Sequence, residues 1–327
     1  MKRYLKKSIT LILVIFLILS AFILSQKSNS NLDYTDDISK KIDLVVNKAI
    51  EKNRIPGIAV SVVKDEEIVY SKGFEKSAGF NDKEITADTP LYIGSISKSF
   101  TSLAIMQLVE EGKVNLDDPV KKHLAFFEVD KVSFKDEITI RHLLHHRSGM
   151  SEKEYMPSLD EDLSVEEGVK DLQGVKLSYG PGEEFNYFNP NYNILGLIIE
   201  KISDMSYENY IKKNILKPLE MNNTYLSKEI IQEKVPTGHL AFFSFPFKKE
   251  GKFERHSLPS GFIVSTANDM AKYLIFQQRG EYKGKSILKN NNISKMHSPW
   301  NNNESGYAMG WNIGEKFDYK IIEHGGS

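Results

Sequence analysis

LYIGSISKSFTSLAIMQLVEEGKVNLDDPVKKHL occupies residues 91–124. Within it, Ser95-Ile96-Ser97-Lys98 opens an apolar run whose period predicts a helix from Ser95 to Glu111, closed by Gly112. Gln107, Glu110 and Glu111 supply its polar face. In a helix, residues i and i+3 share a face, so Lys98 lies beside the Ser95 hydroxyl. A helix N-terminus favours negative charge, which helps an alkoxide. A lysine in a dry cleft can give up its proton and act as a base. The S-x-x-K pattern is cheap, however, and Ser61-x-x-Lys64 and Ser286-x-x-Lys289 match it too. Ser61 falls in a predicted strand, where i and i+3 point to opposite faces, and Ser286 has no helical frame. Only Ser95 has the context for a nucleophile.

Outward from this segment, Asp36–Asn53 has a helical period that ends at Pro56-Gly57. IAVSVV (58–63) and EIVYSKGF (67–74) read as a β-hairpin. Helices are expected over Ile140–His146, Asn191–Ser203, Tyr207–Ile215 and Ala267–Gln278. GYAMGWNIG (306–314) and DYKIIEHGG (318–326) read as two more strands. Strands at both ends with helices between them predict an α+β fold, an antiparallel sheet built from N- and C-terminal segments and interrupted by a helical insertion.

The 327 residues are 40% hydrophobic and 27% charged, with 43 Lys plus Arg against 44 Asp plus Glu. That composition excludes a disordered chain, and a net charge of −1 argues against nucleic acid as a partner. With no cysteine, thiol nucleophiles, zinc–cysteine sites and iron–sulfur clusters are excluded. No P-loop and no G-x-G-x-x-G is present, so no cofactor is expected. Lys2, Arg3, Lys6 and Lys7 precede an apolar run from Ile9 to Leu24. This reads as a signal peptide or signal anchor over residues 1–25, followed by a polar linker at 26–33 and a domain at 34–327. The basic flank stays in the cytoplasm, so the domain is expected outside it. It is held at the outer face of the cell membrane by the N-terminal helix, or secreted if that helix is cleaved. Ile23 and Ser25 make a poor cleavage site, which favours the anchor.

Two further motifs carry chemistry. Tyr187-Phe188-Asn189 lies between Gly180-Pro181-Gly182 and Pro190. A tyrosine beside a lysine can shuttle a proton, and the Asn189 amide can bond a substrate carbonyl or the lysine. Taken alone, Tyr187 also fits a packed turn aromatic. His324-Gly325-Gly326-Ser327 places two glycines where backbone and ligand can approach closely, with His324 able to donate to an oxyanion or a carboxylate. Taken alone, it also fits a turn ending a strand. His142, His145 and His146 cluster at helical spacing, but no acidic residue in register completes a metal site.

In this order and in these flanks, the three motifs resemble the serine β-lactamase and penicillin-binding-protein-like superfamily, most of all the class C β-lactamase-related serine hydrolases. IPGIAVSVV, ITIRHLLHHRSGM, YGPGEEFNYFNPNYNILGLIIEKIS, ILKPLEMNNTY, PSGFIVSTANDMAKYL, YAMGWNI and IIEHGGS carry the similarity beyond residues 91–124, over roughly Ile38 to Ser327. The resemblance implies Ser95 as the acylated nucleophile, Lys98 as its partner base and Tyr187 as a general base. It implies Asn189 as a contact to the substrate amide, with His324, Gly325, Gly326 and Ser327 on the substrate side. The backbone N–H groups of Ser95 and Ser327 would form an oxyanion hole.

His324 stands where lactamases more often have the lysine of a Lys-Thr-Gly motif, so a permanent charge is replaced by a titratable one. His145 and Arg147 replace threonines and read as surface variation. The family continues past the His-Gly-Gly strand, so its C-terminal strands are expected to be missing here. The expected activity is hydrolysis of an amide, ester or β-lactam carbonyl in a small-molecule or peptidoglycan-like substrate. A membrane-tethered penicillin-binding sensor or wall-binding module without turnover, or an inactive truncation, stays open. The sequence leaves the oligomeric state undetermined.

Overall fold

A computed structural model describes residues 38–74, 84–130, 137–155, 160, 162–242, 245–249 and 251–327. The leader and linker expected over residues 1–33 lie outside these residues, and no helix among the described residues is long and apolar enough to cross a membrane. The chain divides into two units, residues 1–48 and 49–327. Of the first, residues 38–48 are described, and they are helical, in α1 (Ile38–Asn53).

The second unit is an α+β arrangement of small antiparallel sheets around a helical core. Its strands are β1 (Ile58–Lys64), β2 (Glu67–Phe74), β3 (Leu91–Tyr92), β4 (Gly238–Phe242), β5 (Phe245–Lys249), β6 (Val264–Ser265), β7 (Gly306–Tyr307), β8 (Asn312–Lys316) and β9 (Tyr319–Glu323). They pair as β1–β2, β3–β6, β4–β5 and β7–β8–β9. The N-terminal hairpin and the C-terminal three strands are therefore the two ends foreseen for the sheet, present as separate parts. The aromatic stretch after Gly238 is itself a hairpin, β4–β5.

The centre is α2 (Ser97–Glu110), in which every residue from Ser97 to Leu108 is buried. A helix covered on all sides needs partners all round, and α4 (Pro190–Ser203) and the short α5 (Leu258–Gly261) pack against it, with α3 (Ile140–Leu144) on α4. α3 begins at a Thr139 cap whose side chain accepts the His142 N–H. Pro190 opens α4, where the N–H that proline does not have is not needed. α6 (Ala267–Arg279) starts at a Thr266 cap and packs on β1.

Three long-range pairings place the chemistry. β3–β6 pairs Tyr92 with Val264. Beside it the Ile93 N–H donates to Ile263 O (3.1 Å), and the Ile263 N–H donates to Ser97 Oγ (3.1 Å). The start of α2 is thus tied to the 259–263 segment. At the other end, the β8–β9 turn has Phe317 and Asp318 both at positive φ, the geometry of a two-residue hairpin, and this sets the register that delivers His324.

The stretch 306–314, expected as one strand, is broken after Tyr307 by a turn in which the Ala308 N–H donates to Trp311 O (2.7 Å). The reason is contact: Gly310 has φ +77°, and a Cβ there would lie 2.9 Å from Ser99 N and Cα. Only a glycine lets this turn seat on the first turn of α2. Gly310→Ala should therefore cost about 2–5 kcal/mol, left-handed strain plus overpacking, read by urea unfolding.

Candidate active site

Ser95 is half-buried in a short 3₁₀ turn, Gly94–Ile96, immediately before α2, and Lys98 sits in the first turn of the helix. Lys98 is fully buried. Its Nζ contacts Ser95 Oγ (3.2 Å), Asn189 Oδ1 (2.8 Å) and the Ser260 carbonyl (2.6 Å). The other two S-x-x-K serines are spent elsewhere. Ser61 lies in β1 with its Oγ 3.1 Å from Ser71 Oγ, and Ser286 Oγ donates to Leu288 O.

Burial pushes the Lys98 pKa down from 10.5 to about 7. A neutral amine has two N–H donors and one lone pair. The two shorter contacts go to oxygens that only accept, which leaves the lone pair for the Ser95 hydroxyl. Tyr187 closes the group, its ring centroid 4.8 Å from Lys98 Nζ. Burial raises its pKa, and a hydrogen bond with Ser95 offsets this in part. With lysine lowered and tyrosine raised, the pair above about pH 7 is a neutral amine and a neutral phenol rather than a phenolate beside an ammonium.

The last strand comes in from the far end of the chain. A Cβ on Gly94 would lie 2.5 Å from Ser327 N, and one on Gly326 would lie 2.1 Å from Ile93 O. The Gly326-Ser327 backbone is therefore packed directly against the residues before Ser95, with no room for a side chain between them. Gly326→Ala should displace the Ser327 N–H and slow Ser95 acylation about 10²–10³-fold, the size of one lost oxyanion donor, measured by acylation kinetics on folded protein.

His324 is engaged within the protein. Its Nδ1 is 2.6 Å from Gly325 O, which can only accept, so Nδ1 carries the proton. Nε2 of the neutral ring then accepts from the Tyr307 hydroxyl at 3.0 Å. Burial, aided by Lys98, lowers its pKa. The free donor expected of His324 is committed to this chain of contacts. A cavity of about 820 Å³ opens beside Gly326, with Tyr92, Ile231, Val235 and Gly251 in its lining.

The Beta-lactamase family profile matches residues 42–327. The chain belongs to the Beta-lactamase family. Protein flp of Staphylococcus aureus (strain NCTC 8325 / PS 47) is 31% identical over 302 residues, covering 90% of this chain and 59% of that protein. Beta-lactamase-like protein 2 of Dictyostelium discoideum is 28% identical over 318 residues, covering 91% of this chain and 57% of its own length. The chain thus spans less than three fifths of the length of these relatives. The octameric penicillin-binding protein homologue from Pyrococcus abyssi superposes with a TM-score of 0.72 at 32% identity, over 88% of this chain and 68% of that one. D-amino acid amidase from Ochrobactrum anthropi SV3 shares the fold (TM-score 0.71, 20% identity, 88% and 83% coverage).

Against that family background, the substitutions at 145 and 147 are not surface variation. His145 is buried, with its Nδ1 3.2 Å from Tyr307 O, and burial lowers its pKa to about 4. Arg147 donates to the Gly182 and Glu183 carbonyls (3.1 and 3.0 Å) and lies over the Trp300 ring. Sequence reasoning missed both, along with Ser260 and Tyr307. Ser260 acts through its carbonyl, which no side-chain pattern announces. From sequence, Tyr307 fits only a position in a strand.

Proposed function

We propose that this chain is a serine hydrolase that cleaves an amide, ester or β-lactam carbonyl through an acyl-enzyme on Ser95. The observation that carries this reading is the placement of Lys98, a buried amine with two acceptors fixed at 2.8 and 2.6 Å and Ser95 Oγ at 3.2 Å. Neutral Lys98 takes the Ser95 proton as Oγ attacks the carbonyl carbon. The oxyanion is held by the N–H groups of Ser95 and Ser327. Tyr187, a neutral phenol within reach of Ser95, gives its proton to the leaving group and recovers one from the Lys98 ammonium. Asn189 keeps Lys98 in place and faces the substrate amide, and His324 orders the strand end through Tyr307. Water then attacks the acyl carbonyl and gives a proton to neutral Lys98; the bond from the carbonyl carbon to Ser95 Oγ breaks, Lys98 returns that proton to Oγ, and the acid leaves. The cavity beside Gly326 has room for an acyl or leaving group.

The basic residues and apolar run before Leu24 support export, with the substrate met outside the cytoplasm. A fluorescent penicillin and a fluorophosphonate test the reading together. Both should tag Ser95, and the penicillin tag should decay with time. A tag that forms and persists identifies a penicillin-binding sensor instead, and no tag on Ser95 rejects the nucleophile.

A further inference from the structure

His146 is buried to 0% exposure in a left-handed backbone conformation (φ +53°), directly after α3. It binds the residues on both sides of Tyr187. Its carbonyl accepts the Asn186 N–H (2.8 Å), and its Nδ1 accepts the Phe188 N–H (3.2 Å). Its ring lies 4.2 Å, centroid to centroid, from the Tyr187 ring. A backbone N–H can only donate, so Nδ1 carries no proton and the neutral ring is the Nε2–H tautomer. Asn191 Nδ2, 3.1 Å away, is a second donor to the same Nδ1, and Asn191 Oδ1 accepts from Ser148 Oγ (2.8 Å).

Burial, first of all, holds the pKa of this ring well below the ordinary histidine value, and the neighbouring cationic groups act in the same direction. Those groups are Lys98 from α2, His145 from its own segment and His324 just after β9, and the rings of Tyr187, Tyr192 and Tyr307 pack around the imidazole. Nε2 is buried with no hydrogen-bond partner among the described residues. A buried orphan donor is costly to stability, so this histidine is not explained as a stabilising core residue.

We propose that His146 is the positioning residue for Tyr187, clamping the 186–188 turn at both ends so that the phenol ring stays over Lys98 and beside Ser95. The proposal rests on the serine-hydrolase reading of the site. The turn follows Gly180-Pro181-Gly182 and has no regular structure of its own, so the bonds to His146 hold it against the segment that follows α3. Without the Nδ1 acceptor, the Phe188 N–H loses its partner and the turn can rotate the phenol away.

Two variants separate the acceptor from the ring. His146→Phe keeps a flat ring and removes the acceptor. His146→Asn loses the ring, keeps an oxygen near the position of Nδ1, and suits positive φ. The readout is the rate at which a fluorophosphonate labels Ser95 in the full chain, corrected for the folded fraction by circular dichroism. His146→Phe should label about a hundredfold more slowly, the cost of misplacing a group by about 1 Å, and His146→Asn should recover at least tenfold of that loss. Equal losses in both variants, or labelling of His146→Phe at the wild-type rate, would overturn the proposal.

Nitrogen-15 NMR of the wild-type chain provides a check independent of labelling. His146 should show the neutral Nε2–H tautomer and should not titrate at the ordinary histidine midpoint, because burial holds its pKa well below that value. A charged ring or an Nδ1–H tautomer would also overturn the proposal. Wild-type protein that is not labelled, or labelling that survives Ser95→Ala, defeats the hydrolase reading instead. The NMR tautomer then decides the His146 geometry by itself.

Discussion

Ser95→Ala should abolish labelling by fluorophosphonate and lower hydrolysis of an activated ester by a factor on the order of a million, the size expected when a serine hydrolase loses its nucleophile. The effect is large because the two nearest serines are held elsewhere. Ser97 Oγ accepts the Ile263 N–H, and Ser99 Oγ donates to Ile96 O (2.8 Å). Both are buried and turned into the protein. The fold should survive the change, since Ser95 is half-buried and, among the described residues, its hydroxyl meets only Lys98, at 3.2 Å, and the Tyr187 phenol. Unchanged melting with full loss of labelling is the expected pair of results. Residual labelling at another serine would remove Ser95 from the mechanism.

Lys98→Met should lower acylation about 10²–10⁴-fold, the range for a lost general base, and should remove the acid limb of the rate profile. In the wild type, Lys98 must be neutral to accept a proton, and burial sets its pKa at about 7. The rate should therefore rise with pH through that midpoint and fall below it.

The same burial gives stability the opposite sign from a salt-bridged group. The unfolded chain binds this proton up to the ordinary lysine value of 10.5, the folded chain only up to about 7. Between those values the unfolded state holds more protons, so stability rises with pH there, by at most about 1.4 kcal/mol per unit from this group. Urea unfolding at pH 7 and at pH 9 should show that rise in the wild type and its loss in Lys98→Met. A flat wild-type stability curve would mean that Lys98 is charged in the folded protein, and its role as the base would fail with it.

The motifs that build this site differ in how far they could be read from sequence. Ser95 and Lys98 are three residues apart, and helical geometry alone brings them together. The structure refines this only by placing Ser95 in a 3₁₀ turn before the helix. The hairpin at 58–74 and the helices from Pro190 and Ala267 were equally legible, because each has a clean period and a recognisable start. Residues 306–314 misled because their alternation fits a strand, while the break at Gly310 exists only to meet Ser99, far away in the chain. His145 and Arg147 misled because polar residues in a turn usually face water, whereas here Tyr307 O and the 182–183 carbonyls give them partners.

From its order of motifs, the sequence by itself determined the family, the nucleophile candidate and its neighbouring lysine, since these depend on local spacing. Tertiary structure alone decided the protonation states and the partners. The Lys98 amine has its pKa lowered by burial and donates to the carbonyl of Ser260, a residue 162 positions away. Tyr187 meets it because His146 holds the turn on either side of the phenol. His324 is committed to Tyr307 and Gly325 rather than left free. A pKa and a hydrogen-bond partner depend on which distant atoms exclude water from a group, and spacing along the chain carries no record of that.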